Sequence, residues 1–139
     1  MAPVRPYTQV LDRLKTAGLR PTRQRMALAK LLLEAGDRHL TAEQLHCEAI
    51  AAGIKVSLAT VYNTLHQFTE VKLLREVVVE SGRAYFDTNT TDHHHIYYED
   101  NGDLQDIPQG VIAVSNLPEI PENATIERVD VIVRVRKSS

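Results

Sequence analysis

Three of the six histidines in this 139-residue chain stand in one run, Thr91-Asp92-His93-His94-His95, with Asp87 upstream and Asp106 downstream. Neutral imidazole is the commonest protein ligand for divalent transition metals and a usual axial ligand for haem iron. Neighbouring carboxylates suit Mn, Fe or Zn. If a strand runs from His93 to Tyr98, alternation sends His93 and His95 to one side, about 7 Å apart, and His94 to the other. One ion can then take two imidazoles from one strand. A polar strand end without a ligand explains the run as well, so the elements that position it must decide.

The bounds are those of one ordinary domain or two small ones. With 43% hydrophobic residues the chain can build a core. Its apolar runs fall short of the roughly 20 residues that span a bilayer, and Met1-Ala2-Pro3-Val4-Arg5 does not open a signal peptide. A soluble, cytoplasmic protein with no membrane partner is expected. The single cysteine, Cys47, excludes an intrachain disulfide and any structural zinc site built from four cysteines. Net charge is -2, but residues 1–83 carry 12 Lys and Arg against 8 Asp and Glu, whereas residues 84–139 carry 4 against 10. A basic part for nucleic acid and an acidic part for cations or protein contacts would divide the charge in this way.

Apolar spacing and caps predict four helices. Val10, Leu11, Leu14 and Ala17 share a face before Gly18, and Thr22 caps a second helix with an apolar run from Met26 to Leu33. Thr41 with Gln44 makes a capping box for a third helix, which Gly53 closes. In the fourth, Ser57 to Phe68, the residues Leu58, Val61, Leu65 and Phe68 form the inner stripe. Ala59, Thr60, Asn63 and Gln67 lie outside, with Tyr62 on the rim. That outer face is small, polar and almost uncharged, as a helix approaching base edges in the major groove requires. Leu74–Val79 and Arg83–Phe86, turning at Ser81-Gly82, read as a hairpin and hence as a wing. The expected architecture is α+β. A winged helix-turn-helix occupies residues 1–83, and a small α/β dimerisation domain with a three-stranded antiparallel sheet occupies 84–139. In that sheet His94–Tyr98 and Leu104–Ile107 flank a turn, and the last strand carries Val129, Val131, Val133 and Val135 on one face. So small a sheet is marginal alone, which predicts a homodimer.

Four collinear stretches now carry a resemblance. They are Leu14-Lys15-Thr16-Ala17-Gly18-Leu19-Arg20-Pro21-Thr22-Arg23-Gln24-Arg25, His39-Leu40-Thr41-Ala42-Glu43, Ser57-Leu58-Ala59-Thr60-Val61-Tyr62-Asn63-Thr64-Leu65 and the Asp-His-His-His run. Together they resemble the ferric uptake regulator family of dimeric, metal-sensing transcription factors. The resemblance implies a regulatory metal site at His39, Asp87, His93, His95 and Asp106. It implies Arg20 in the minor groove, Tyr62 and Asn63 in the major groove with Ser57, Ala59 and Thr60 beside them, and Arg25 on phosphate. The double-stranded operator DNA is the partner it implies.

The departures matter as much. Tyr98 and Asn101 stand where many members place the first structural-zinc Cys pair, and no second pair exists. These features, with the His run and a proline-broken segment before the last strand, are similar to the iron response regulator branch. That branch implies haem binding at His93, His94 and His95 that lowers DNA affinity, and control of iron homeostasis and haem synthesis. The chain lacks the additional Cys-Pro haem motif, because Glu48 follows Cys47. A direct Fe-, Mn- or Zn-dependent repressor is the competing reading within the family. A small His/Asp metalloenzyme is the competitor from another class, but neither a positioned base nor a nucleophile elbow is visible, so no catalytic residues are expected.

Overall fold

The computed structural model describes residues 6–34, 36–80 and 82–138, with side chains from residue 9 onward. Two compact units, residues 1–90 and 91–139, divide the chain. The first therefore continues past residue 83, because the second hairpin strand is bonded on both sides within it.

In the first unit, α1 (Pro6–Thr16), α2 (Arg23–Leu33), α3 (Ala42–Ala51) and α4 (Leu58–Glu70) surround one core. The caps are local chemistry. The Thr22 hydroxyl accepts from Arg25 N at 3.2 Å. The Thr41 hydroxyl accepts from Gln44 N at 3.2 Å while the Gln44 side chain accepts from Thr41 N at 2.8 Å. Gly18, at φ +82°, ends α1 in the left-handed conformation that costs glycine least. Leu14, Leu28, Leu32, Leu45, Val61, Leu65 and Phe68 are essentially inaccessible. Each contributes about 1.5–3 kcal/mol by leaving water. Leu58 is only partly buried against this core, and Thr64 takes an unexpected buried place on α4.

A three-stranded sheet closes the first unit, in the order β1 (His39–Leu40), β3 (Arg83–Asp87), β2 (Arg75–Glu80). The wing hairpin is β2–β3. Gly82 turns it at φ +74°, while Ser81 lies outside the described residues, as does the stretch Met1-Ala2-Pro3-Val4-Arg5. The short β1 strand has no counterpart in the sequence expectation. It pairs His39 with Asp87 and Leu40 with Phe86.

The second unit contains β4 (His94–Tyr98), β5 (Asp103–Ile107) and β6 (Ile132–Val135), in the order β5-β4-β6. Here one detail of the expectation is corrected. β4 and β5 are antiparallel, but β6 joins β4 in parallel, so the sheet is mixed. β5 ends beside His94, and β6 begins beside His95. The connection leaves and re-enters at the same end of β4, which gives β6 the direction of β4. β6 is also shorter than the valine alternation predicted, and Val133 and Val135 are exposed on it.

Candidate functional site

The second unit brings together His93, His95 and Asp106. His95 opposes Asp106 in the β4–β5 ladder, and alternation puts His93 on the same side. The two imidazole rings lie edge to face with centroids 4.5 Å apart. Each Nε2 is 3.3 Å from the same Asp106 oxygen, Oδ1. Both rings are buried, whereas the Asp106 side chain is 43% exposed and gives access from solvent.

Hydrogen bonding fixes which nitrogen of His93 can serve as a ligand. Its Nδ1 lies 2.6 Å from the Thr91 carbonyl oxygen, to which it donates. A neutral His93 therefore turns the Nε2 lone pair toward Asp106, the arrangement that orients a histidine as a metal ligand. Lone pair facing carboxylate is repulsive unless a positive charge lies between them. A proton or a cation relieves it. The ligand atoms of His93, His95 and Asp106 fall within 4.8 Å of one another. Two imidazoles and a carboxylate are donors suited to Mn, Fe and Zn.

His94 points elsewhere. Its Nδ1 accepts from Val131 N at 3.1 Å, a contact that holds the chain entering β6. With Nδ1 accepting, a neutral ring carries its proton on Nε2 and has no lone pair left for iron.

In the first unit, Asp87 and His39 are register partners on β3 and β1. Asp87 is 1% exposed, and its Oδ1 accepts from Asn89 N at 2.9 Å. Arg75 faces Asp87 from β2 and is itself buried. The sheet thus sets an imidazole and a guanidinium on either side of one buried carboxylate. The sequence offered no signal for the Arg75 placement, because it depends on strand register.

The proposed DNA-reading residues cluster about α4. Ala59 and Asn63 are exposed, and Thr60 and Tyr62 are half-buried. Ser57 serves first as the N-cap: its Oγ accepts from Thr60 N at 3.1 Å and donates to Thr60 Oγ1 at 2.9 Å. Both hydroxyls are thus already engaged in starting the helix. Arg20 is exposed, and its carbonyl accepts from Arg25 Nη1 at 2.9 Å. Arg25 also donates through Nε and Nη2 to Gln67 Oε1, at 3.2 and 3.0 Å. Gln67 therefore aims the Arg25 fork from α4 itself. Tyr62 donates its hydroxyl to Glu43 Oε1 at 2.9 Å. That hydrogen bond is the chief cause raising the phenol above its ordinary pKa, followed by burial and the Glu43 charge.

A winged helix whose recognition helix carries short polar side chains, followed by a small sheet bearing converging imidazoles and a carboxylate, defines a metal-responsive DNA-binding regulator. The comparisons give the family. The model of the ferric uptake regulator family matches residues 16–134. A ferric uptake regulation protein of Vibrio cholerae is 33% identical over 100 residues, covering 71% of this chain and 67% of that protein. One from Escherichia coli K12 is 37% identical over 82 residues, covering 59% and 55%. The structure of the ferric uptake regulator from Pseudomonas aeruginosa with manganese superposes with a TM-score of 0.72 at 26% identity, over 93% of this chain and 98% of that one. The chain belongs to the ferric uptake regulator family. It is a transcription regulator rather than an enzyme, of a family whose members are dimeric and bind DNA. Among the described residues no helix is long and apolar enough to cross a membrane.

Proposed function

We propose that this chain is a cytoplasmic, dimeric repressor in iron homeostasis whose grip on operator DNA depends on a divalent Fe, Mn or Zn ion. The convergence of His93, His95 and Asp106 carries the reading. A bound ion supplies positive charge between donors that otherwise repel one another. His93 presents Nε2 because its Nδ1–H donates to the Thr91 carbonyl oxygen. Asp106 admits the ion from solvent, and the burial of both imidazoles limits competition from water. An ion bound there favours the conformation whose donors it holds and shifts the population toward it, which is how a ligand alters affinity at a distance. Arg20, Tyr62, Asn63, Ala59 and Thr60 would then meet the duplex, with Arg25 on phosphate and Ser57 holding the start of α4.

Haem sensing of the iron response regulator kind is the finer reading, and the rings favour it less. His93 and His95 are 7% and 1% exposed, too enclosed for a porphyrin to reach their nitrogens without local unfolding. His94 spends its lone pair on Val131 N. One experiment tests both readings. DNA selected from a random duplex pool by the Mn²⁺-loaded protein is titrated with wild type and with His93→Ala/His95→Ala, after chelation, with Mn²⁺, and with haemin. The divalent reading expects Mn²⁺ to raise affinity at least tenfold in the wild type alone. Haemin that lowers affinity while giving a Soret band abolished by the His variants would replace it with the haem reading.

A further inference from the structure

The recognition helix does not orient its tyrosine alone. Tyr62 is held at two points, and one lies on α3. Its hydroxyl donates to Glu43 Oε1 at 2.9 Å. Its ring stacks on His66, one turn along α4, with centroids 6.3 Å apart and planes 19° apart. His66 is braced in turn, edge to face, against Phe86 of the wing at 5.7 Å. Glu43 stands in the first turn of α3. The phenol has therefore a fixed plane and a fixed direction for its proton.

A hydroxyl normally reads both ways, because its hydrogen rotates to suit donor or acceptor. Here the proton is committed to a carboxylate, and the oxygen offers outward only its lone pairs. In the major groove, acceptors pair with the exocyclic amines, adenine N6 and cytosine N4. Guanine O6 and N7 and thymine O4 are themselves acceptors and repel such an oxygen. The Glu43 carboxylate beside it discriminates in the same sense. We propose that Glu43, a residue outside the recognition helix, determines specificity by locking Tyr62 as an acceptor, so that one position of each half-site selects an amine-bearing base, A or C, over G or T. This rests on the reading that α4 enters the major groove.

The test uses the full chain loaded with Mn²⁺ and a duplex pool randomised across the site, with bound fractions sequenced for wild type, Tyr62→Phe, Glu43→Ala and Glu43→Gln. Wild type is expected to prefer A or C about fivefold at one position, the lower end of what a good base contact discriminates. Tyr62→Phe should flatten that position and no other. Glu43→Ala should flatten the same position to about twofold or less, because the freed hydroxyl can turn and donate to G or T. Its overall affinity should rise for all sequences as a negative charge near phosphate is removed. Glu43→Gln, whose amide oxygen still accepts, should retain the preference, an outcome that simple loss of packing would not give. Alanine is a good helix former, so Glu43→Ala should keep its fold, as circular dichroism would verify. If Tyr62→Phe flattens a position and Glu43→Ala leaves it intact, the role of Glu43 is overturned while groove reading stands. If Tyr62→Phe alters no position, groove reading by this residue fails, and the role of Glu43 with it.

Discussion

The two units bury apolar surface on different terms. In the first, fifteen buried side chains from all four helices and the sheet form one cluster. In the second, the buried apolar side chains among the described residues are Tyr97, Leu104 and Ile107, and two of the other buried groups are the imidazoles of His93 and His95. Seven large apolar side chains between Val111 and Val135 are exposed in the second unit, against two, Ile50 and Val78, in the described part of the first. A three-stranded sheet with so little interior is marginal in water. The first unit can hold itself together, whereas the second needs something outside its own chain, and a partner protomer and an ion answer that need in different ways.

The partner's share should be the largest effect. Replacing Val133 and Val135 by Asp puts charge on the exposed residues of β6. In a two-fold dimer that uses this face, four valines would be lost, at about 1.5 kcal/mol each and roughly 6 kcal/mol in total. Sedimentation should show monomers at concentrations where the wild type is dimeric, with the helical circular dichroism of the first unit retained. A dimer that survives both charges would place the interface elsewhere. Phe68→Ala attacks the other side of the comparison. It empties part of a complete core and should cost about 3–5 kcal/mol, read as a lower urea midpoint for loss of helix, with dimerisation of the remaining folded fraction unchanged. If Phe68→Ala instead dissociated the dimer first, the two units would not be as separate in stability as their cores suggest.

Metal should act on the second unit. At a hundredfold excess over its dissociation constant, an ion that binds only the folded form stabilises by about 2.7 kcal/mol. Mn²⁺ should therefore slow amide exchange on β4 more than on α2. His95→Ala should abolish the difference. Equal protection of both would mean that the ion's coupling spreads evenly through the chain.

The same contrast explains what could be read in advance. The helices of the first unit announce themselves through Thr22 and the Thr41 and Gln44 box, because caps are local and apolar spacing repeats over several turns. Side-chain alternation likewise put His93 and His95 on one side, and Asp106 needed only the β4–β5 turn to bring it opposite His95. What stayed hidden depends on distant pairing. The direction of β6 is set by where the 108–131 connection re-enters the sheet, and no residue within the strand encodes it. Likewise β1 is two residues long, too short for any alternation, and exists because β3 offers an edge for it to pair with. The Gln67 to Arg25 and Glu43 to Tyr62 contacts join residues 42 and 19 positions apart, beyond the reach of periodicity.

The smallest effect sharpens the comparison at a single hydroxyl on the surface of the stable unit. Because Glu43 accepts its proton, Tyr62 ionises above the ordinary tyrosine value of about 10. A raised pKa in the folded state means that folding favours the protonated phenol. This stabilising contribution is complete below about pH 10 and is lost as pH climbs through the folded-state value, so nothing should change between about pH 6 and 9. In an ultraviolet difference titration of the five tyrosines, one should ionise at lower pH in Glu43→Ala than in the wild type. The hydroxyl contact is exposed to water, so the thermal midpoint should barely move at neutral pH even though the titration does. A titration unchanged in Glu43→Ala would assign the shift to burial against His66 instead, and would leave the phenol proton free to turn toward DNA.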